Sequence, residues 1–224
     1  LDFGAATTGI LFHRAAVSLT ASDSSSNSVT HAGDAIEQLM GSGGGDTFAF
    51  DNGVNLAGGA GVIDGGDGIN TLDYSAFNTP VSVNLALGLG TGLNSVQHIQ
   101  RVLGGSGADQ LIGNDADNSL YGNGGNDTLK GGKGKDTLAG GLGSNTLLGG
   151  AGDDTYLIAE RLTGIETDHL QEDAGTAAGG LATSGGEDTV NVSSWMQSVT
   201  FDLRTLIGLQ TPNLIIKLEA GIGG

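Results

Sequence analysis

Six nine-residue blocks follow one another without interruption from Gly104 to Leu157, and a period this short and regular leaves few folds open. In register they are GGSGADQLI, GNDADNSLY, GNGGNDTLK, GGKGKDTLA, GGLGSNTLL and GGAGDDTYL. The first position is always Gly, and the sixth is always Asp or Asn: Asp109, Asn118, Asp127, Asp136, Asn145 and Asp154. The eighth is always apolar: Leu111, Leu120, Leu129, Leu138, Leu147 and Tyr156. A glycine-rich hexapeptide turns tightly, because Gly reaches positive φ without steric penalty. The three residues after it suffice for a short strand whose apolar middle side chain points inward while its neighbours point out. Turn, strand, turn, strand closes one coil in eighteen residues, so blocks two apart stack. Asp109, Asp127 and Asn145 then line one edge of the stack, and Asn118, Asp136 and Asp154 the other.

Stacked carboxylates repel unless a cation lies between them. Lys130, Lys133 and Lys135 are too few and fall mostly in one coil. A hard cation with oxygen ligands fits better, and Ca2+ accepts carboxylates and backbone carbonyls in irregular geometry. Mg2+ demands a stricter octahedron, while zinc favours His or Cys, neither of which the blocks contain.

The blocks resemble the GGxGxDxUx nonapeptide of the RTX (repeats-in-toxin) calcium-binding family. That resemblance implies an all-β fold, a parallel β-roll or β-helix solenoid, with several Ca2+ ions between stacked turns held by the sixth-position carboxylate and turn carbonyls. It points to Asp109, Asp127, Asp136 and Asp154 as side-chain ligands, with Asn118 and Asn145 as weaker ones at the same position. Block two departs from the motif, having Ala116 where a glycine is expected and Asp115 and Asp117 around it. Six apolar side chains are a thin core for fifty-four residues, so the roll is expected to need its metal to fold.

The flanks repeat on a larger scale. Leu1-Asp-Phe-Gly-Ala reads like Leu72-Asp-Tyr-Ser-Ala and, more loosely, Val190-Asn-Val-Ser-Ser. Asx-Thr pairs precede the second and third, at Asn70-Thr71 and Asp188-Thr189. Alternating apolar residues follow, at Val81, Val83, Leu85 and Leu87 and again at Val199, Phe201 and Leu203, which is the strand signal. A short apolar segment then runs into glycine in AIEQLMGSGGGD, HIQRVLGGSGAD and IIKLEAGIGG. Three copies of one module result, each a strand-rich capping spacer followed by a nonapeptide block. The expected organisation is a β spacer over 1–40, a short degenerate block over 41–73, a second spacer over 74–103, the six-block roll over 104–157, and an irregular segment with a third spacer over 158–224. Asp46 and Asn70 become further metal candidates, while Gly58–Asp64 is degenerate, with Ile63 in the ligand place. A short helix is expected within Gly164–Asp173 and a loop over Ala174–Gly186. The parent protein is expected to continue beyond both Leu1 and Gly224.

Carboxylates outnumber basic residues 25 to 8, giving a net charge of −17 spread over the whole chain. That disfavours nucleic acid and anionic membranes as partners. No apolar run approaches the roughly 20 residues of a membrane span, so no membrane insertion is expected. Cysteine is absent, so disulfides contribute nothing. His13, His31, His98 and His169 are scattered in no ligand spacing. Trp195 reads as an anchor of a spacer core. Neither HExxH nor GxSxG is present, and no carboxylate pair stands out, so no enzyme activity is expected.

The leading expectation is a calcium-rigidified segment of a secreted, repetitive bacterial adhesin or surface fibre, placed outside the cell or on its surface. Its expected partners are calcium, neighbouring repeat modules and other copies of itself. The family resemblance further implies type I secretion, with folding once calcium is met outside. Two other readings stay open: a surface-layer lattice protein, and an accessory module of a secreted protease, lipase or alginate epimerase.

Overall fold

The three-residue segments after the glycine turns bury their middle side chain and, Thr71 apart, leave the flanking two partly or fully exposed, as in Gln110-Leu111-Ile112 and Ser119-Leu120-Tyr121. Segments so short cannot bury a face alone. They do so by stacking coil upon coil. The computed structural model describes residues 2–15, 18–23, 28–32, 38–52, 61–158, 168–171, 188–191 and 214–217. Among these the regular elements are all strands.

The N-terminal strands are β1 (Ile10–Ala15), β2 (Ser18–Asp23), β3 (Ser28–Ala32), β4 (Gln38–Met40) and β5 (Thr47–Phe50). There follow β6 (Val62–Asp64), β7 (Thr71–Asp73), β8 (Ser82–Asn84), β9 (Leu89–Gly90), β10 (Ser95–Gln97) and β11 (Arg101–Leu103). The repeat run supplies β12 (Gln110–Ile112), β13 (Ser119–Tyr121), β14 (Thr128–Lys133), β15 (Thr137–Ala139), β16 (Thr146–Ala151) and β17 (Thr155–Leu157). Beyond it lie β18 (His169–Gln171), β19 (Asp188–Asn191) and β20 (Leu214–Lys217).

From β3 to β8 and from β10 to β19 successive strands alternate between opposite walls. One wall is a sheet of eleven strands in the order β20-β19-β17-β15-β13-β11-β7-β5-β1-β2-β3. The other is split into a six-stranded sheet, β18-β16-β14-β12-β8-β9, and a three-stranded one, β10-β6-β4. Between the described strands, pairing is parallel from β1 through β5 to β20 and antiparallel in β1-β2-β3 and the β8-β9 hairpin. Within the repeats the register is eighteen residues, pairing Leu111 with Leu129 and Leu120 with Leu138. This is the all-β parallel roll expected from the sequence.

Register turns the apolar positions into two inner columns. Phe12, Phe48, Leu72, Val102, Leu120, Leu138, Tyr156 and Val190 follow one another along the large sheet. Val83, Leu111, Leu129, Leu147 and Leu170 face them. At the N-terminal end the Phe12 and Phe48 rings stack at 4.7 Å. The 74–103 spacer lies inside this stack: β11 joins β7 to β13 in one continuous sheet.

Three local expectations need correction. Ile63 does not take the ligand place; it sits in the middle of β6, buried, paired with Leu39 and Val96, so it plays the eighth-position role. The alternation from Val81 stops after Leu85. A turn closes there, with Leu87 N–H donating to Asn84 Oδ1 and Gly88 N–H to the Leu85 carbonyl, and it leaves Leu87 exposed. The helix expected in Gly164–Asp173 meets a strand instead, since His169–Gln171 pairs with β16. Residues 164–167 and 172–173, the loop over 174–186, Trp195 and the 199–203 alternation lie outside the described residues.

Candidate metal centres

The sixth residue of each block sits at the junction of turn and strand, where its backbone and side chain serve different coils. Its N–H donates to the side-chain oxygen of the sixth residue one coil on. Along one edge Val81 N–H reaches Asp109 Oδ1, Asp109 reaches Asp127, Asp127 reaches Asn145, and Asn145 reaches Asp168, at 2.8 to 3.1 Å. Along the other, Asp46 N–H reaches Asn70, Asn70 reaches Gln100, Asn118 reaches Asp136, and Asp136 reaches Asp154. The stacking of Asp109, Asp127 and Asn145, and of Asn118, Asp136 and Asp154, is therefore hydrogen-bonded coil to coil. Gln100 and Asp168 also hold this place, and sequence reasoning missed both because no glycine turn precedes them. The available signal was the Asx-x-apolar step: Asp168-His169-Leu170 repeats Asp127-Thr128-Leu129, with Gln100-Arg101-Val102 as a longer-armed variant.

Turn conformation divides the blocks. In five turns the second and fourth residues are left-handed: Gly66 and Gly68, Asn123 and Gly125, Gly132 and Gly134, Gly141 and Gly143, Gly150 and Gly152. The turns ending in Asp46, Asp109 and Asn118 lack this pattern. For Asn118 the reason is Ala116, whose Cβ disfavours positive φ.

All eight of these side chains are buried, yet the second side-chain atom meets three different situations. In the turns without left-handed residues, the second residue's N–H points inward and fills it. Asp109 Oδ2 accepts from Gly105 N–H at 2.7 Å, and Asp46 Oδ2 from Ser42 N–H at 2.6 Å. Asn118 uses its Oδ1 for Asn114 N–H and leaves Nδ2 without a partner. In two left-handed turns the residue is Asn, and its Nδ2 donates to carbonyls of its own turn: Asn70 to Gly66 and Asp67, Asn145 to Gly141 and Gly143. In the other three it is Asp. There Oδ2 of Asp127 and of Asp136 is buried without a hydrogen-bond partner among the described residues. Asp154 shares their turn conformation, and its Oδ1 is held by Asp136 N–H.

The first-position glycines keep this space open. A methyl group on Gly122, Gly131 or Gly149 would collide with Oδ2 of Asp127, Asp136 or Asp154 respectively. It would also meet the carbonyl of the next coil's first glycine, at 2.6 Å for Gly122 and 2.5 Å for Gly131.

Burial pushes the Asp127 and Asp136 carboxyls up to about 7, and neighbouring charges add to this, from Asp109 and Asp168 in the first case and from Asp154 and Asp117 in the second. Asp109 is raised too, chiefly by burial, with its two N–H donors opposing. Two lysines of the repeat run are engaged elsewhere. Lys133 pairs with exposed Asp115 at 2.5 Å, and Lys135 with Asp153 at 2.6 Å. The His13 and His98 side chains pair with Asp51 and Asp64.

A buried carboxylate oxygen without a donor, raised in pKa and cradled by glycine, has the chemistry of a cation ligand. Among the described residues no three His, Asp or Glu side chains converge on one point. A cation here must take most of its oxygens from the backbone, which suits Ca2+ and disfavours zinc. Among those residues, no helix is long and apolar enough to cross a membrane.

The family model described as RTX calcium-binding nonapeptide repeat (4 copies) matches residues 103–138 and 130–157. The rest of the chain lies outside both matches. Residues 103–157 are thus calcium-binding repeats of the RTX type. No curated protein matches the chain.

Proposed function

We propose that this chain is a calcium-folded structural module of a secreted, repetitive bacterial adhesin or extracellular fibre, with Asp127, Asp136 and Asp154 as its principal side-chain ligands. The observation that carries the calcium assignment is the donor-less buried Oδ2 of Asp127 and Asp136. Bound there, Ca2+ supplies positive charge and oxygen coordination. The chain's own residues do the rest: each Oδ1 anchors the neighbouring coil's backbone, and the first-position glycines leave room beside Oδ2 that a side chain would fill. The described strands of the two glycine-rich blocks, 41–73 and 104–157, and of the spacer 74–103 between them pair in register with their neighbours. A solenoid of that kind is built for length. RTX repeats typically occur in secreted proteins, and millimolar calcium outside the cell matches the roughly 10^-4 to 10^-3 M affinity of extracellular calcium modules.

Far-UV circular dichroism tests the reading. The chain is expected to lose most of its β signal in chelator and regain it with millimolar Ca2+, but not with Mg2+ at the same concentration. A β spectrum indifferent to chelation would refute it.

A further inference from the structure

We propose that Asn70 and Asn145 close their turns with the side-chain amide in the place a calcium ion takes elsewhere, so that calcium binding is confined to left-handed turns whose sixth residue is Asp. The inference rests on the calcium reading above and narrows it.

The comparison is between turns of one shape. Five turns have left-handed second and fourth residues. Their sixth side chains occupy the same spot, against the first-position glycine: a methyl on Gly122 or Gly131 would strike Oδ2 of Asp127 or Asp136, and one on Gly65 or Gly140 would strike Nδ2 of Asn70 or Asn145. Only the chemistry of the atom there differs. An oxygen among carbonyl oxygens repels them and needs a cation. An NH2 group among the same carbonyls carries two donors and needs nothing.

The donors are used. Asn145 Nδ2 lies 3.4 Å from the carbonyls of Gly141 and Gly143 and 2.9 Å from Asp168 Oδ1. Asn70 Nδ2 lies 3.3 Å from the Gly66 carbonyl, 3.2 Å from that of Asp67 and 2.9 Å from that of His98. The amide orientation is fixed independently, since Oδ1 of each residue accepts a backbone N–H from the preceding coil. His98 adds a second sign that the site is built around the amide. It is one of two non-glycine residues with positive φ among the described residues, at 54°, and its carbonyl is the closest acceptor of Asn70 Nδ2. Both asparagines are fully buried. A calcium ion beside either would face a neutral side chain that brings donors to the carbonyls the ion needs. Asn118 falls outside the proposal, because its turn lacks the left-handed pair and its Nδ2 has no partner.

The test exchanges the atom. Bound calcium per chain is counted by native mass spectrometry or equilibrium dialysis on the whole chain at saturating Ca2+, with β content followed alongside. Asn145→Asp places a carboxylate beside Asp168 and is expected to bind one more ion than the wild type and to need more calcium to fold. Asn70→Asp, on the opposite edge, is expected to do the same independently. Asn145→Ser, which removes the amide but adds no charge, is expected to leave the ion count unchanged. An unchanged count in both Asp variants would overturn the proposal, as would a count lowered by one in Asn145→Ser. Failure of both Asp variants to fold at saturating calcium would overturn it too, because an Asp with calcium is what the neighbouring turns use. If the wild type itself bound no calcium, the function proposed above would fail instead.

Discussion

Asp127→Asn should stabilise the calcium-free chain and weaken the calcium-bound one. Asp127 uses Oδ1 for Asp109 N–H and leaves Oδ2 buried without a donor. Asn keeps the first bond and puts an NH2 where the orphaned oxygen was, facing the turn as Asn145 Nδ2 does in the next coil. Satisfying a buried polar atom is worth about 1–3 kcal/mol. In a chain of this length each kcal/mol moves the melting temperature by about 2–4 °C. In calcium the loss of the ion opposes this gain and exceeds it over most of its range. Losing one site costs about 2.7 kcal/mol when calcium is a hundredfold above its dissociation constant. Asp109→Asn is the control. Both Asp109 oxygens already accept N–H groups, from Val81 and Gly105. An amide there sets donor against donor, so that variant should lose about 1–3 kcal/mol with or without calcium. The assay is residual β signal in chelator together with the melting temperature at saturating Ca2+. If Asp127→Asn fell in both conditions, as Asp109→Asn should, the orphaned oxygen would not be the point of calcium control.

Further expectations follow from the same geometry. Because the folded Asp127 and Asp136 carboxyls titrate near 7 rather than 3.8, the metal-free fold binds more protons than the unfolded chain between about pH 4 and 7, and its stability falls as pH rises through that window. Melts in chelator should therefore be highest near pH 4 and decline toward pH 7, while apparent calcium affinity rises over the same range; a chelator melt that rose with pH across this window would contradict the buried, donor-less placement. Gly143→Ala should destabilise strongly, since Gly143 has φ 104° and a Cβ there would strike the Gly125 carbonyl. The left-handed backbone alone costs about 1–2 kcal/mol. Gly124→Ala, whose Cβ would meet only Ser106 at 3.6 Å or beyond, should stay within about 1 kcal/mol of wild type, and thermal melts of the pair compare them.

The repeat blocks were legible because their chemistry is periodic. Coil length, register, the eighth-position core and the two edges of sixth-position residues follow from spacing alone. What spacing hid was conformation and partnership. Asp109 and Asp127 look alike in sequence, yet one carboxylate is saturated by N–H donors and the other is not, because the turn before Asp109 lacks the left-handed residues of Asn123 and Gly125. Asn145 reads as a weakened ligand when only charge is counted; spacing gave no sign that its amide bonds to the carbonyls of its own turn. Gln100 and Asp168 extend the ladders without any glycine to announce them. Leu87 shows the opposite error, a period-two pattern continuing past the point where Asn84 and Gly88 had turned the chain.

The two edges should also differ in cooperativity. On one, Asp127 stands between Asp109, whose oxygens are filled by N–H groups, and Asn145, whose amide is bonded to carbonyls. On the other, Asp136 and Asp154 fall in consecutive coils, joined by Asp136 N–H to Asp154 Oδ1 at 2.8 Å, and the Asp154 charge helps push the Asp136 carboxyl up. An ion at either of these relieves the repulsion felt by the other, and it also orders the backbone the other turn stacks on. A double-mutant cycle on Asp136→Asn and Asp154→Asn should therefore show coupling of about 0.5–3 kcal/mol in calcium-dependent stability, the range for residues in one network. Asp127→Asn combined with either should add within about 0.5 kcal/mol, since it sits on the opposite edge with no hydrogen bond to them. Calcium titrations of the single variants supply the readout. Removing one of the Asp136–Asp154 pair should flatten the steep part of the folding curve, whereas Asp127→Asn should lower its amplitude and keep its slope. Equal coupling across all three pairs would mean that the coils respond to calcium as one unit, and that the alternation of Asp and Asn along the edges has no part in setting which turns act together.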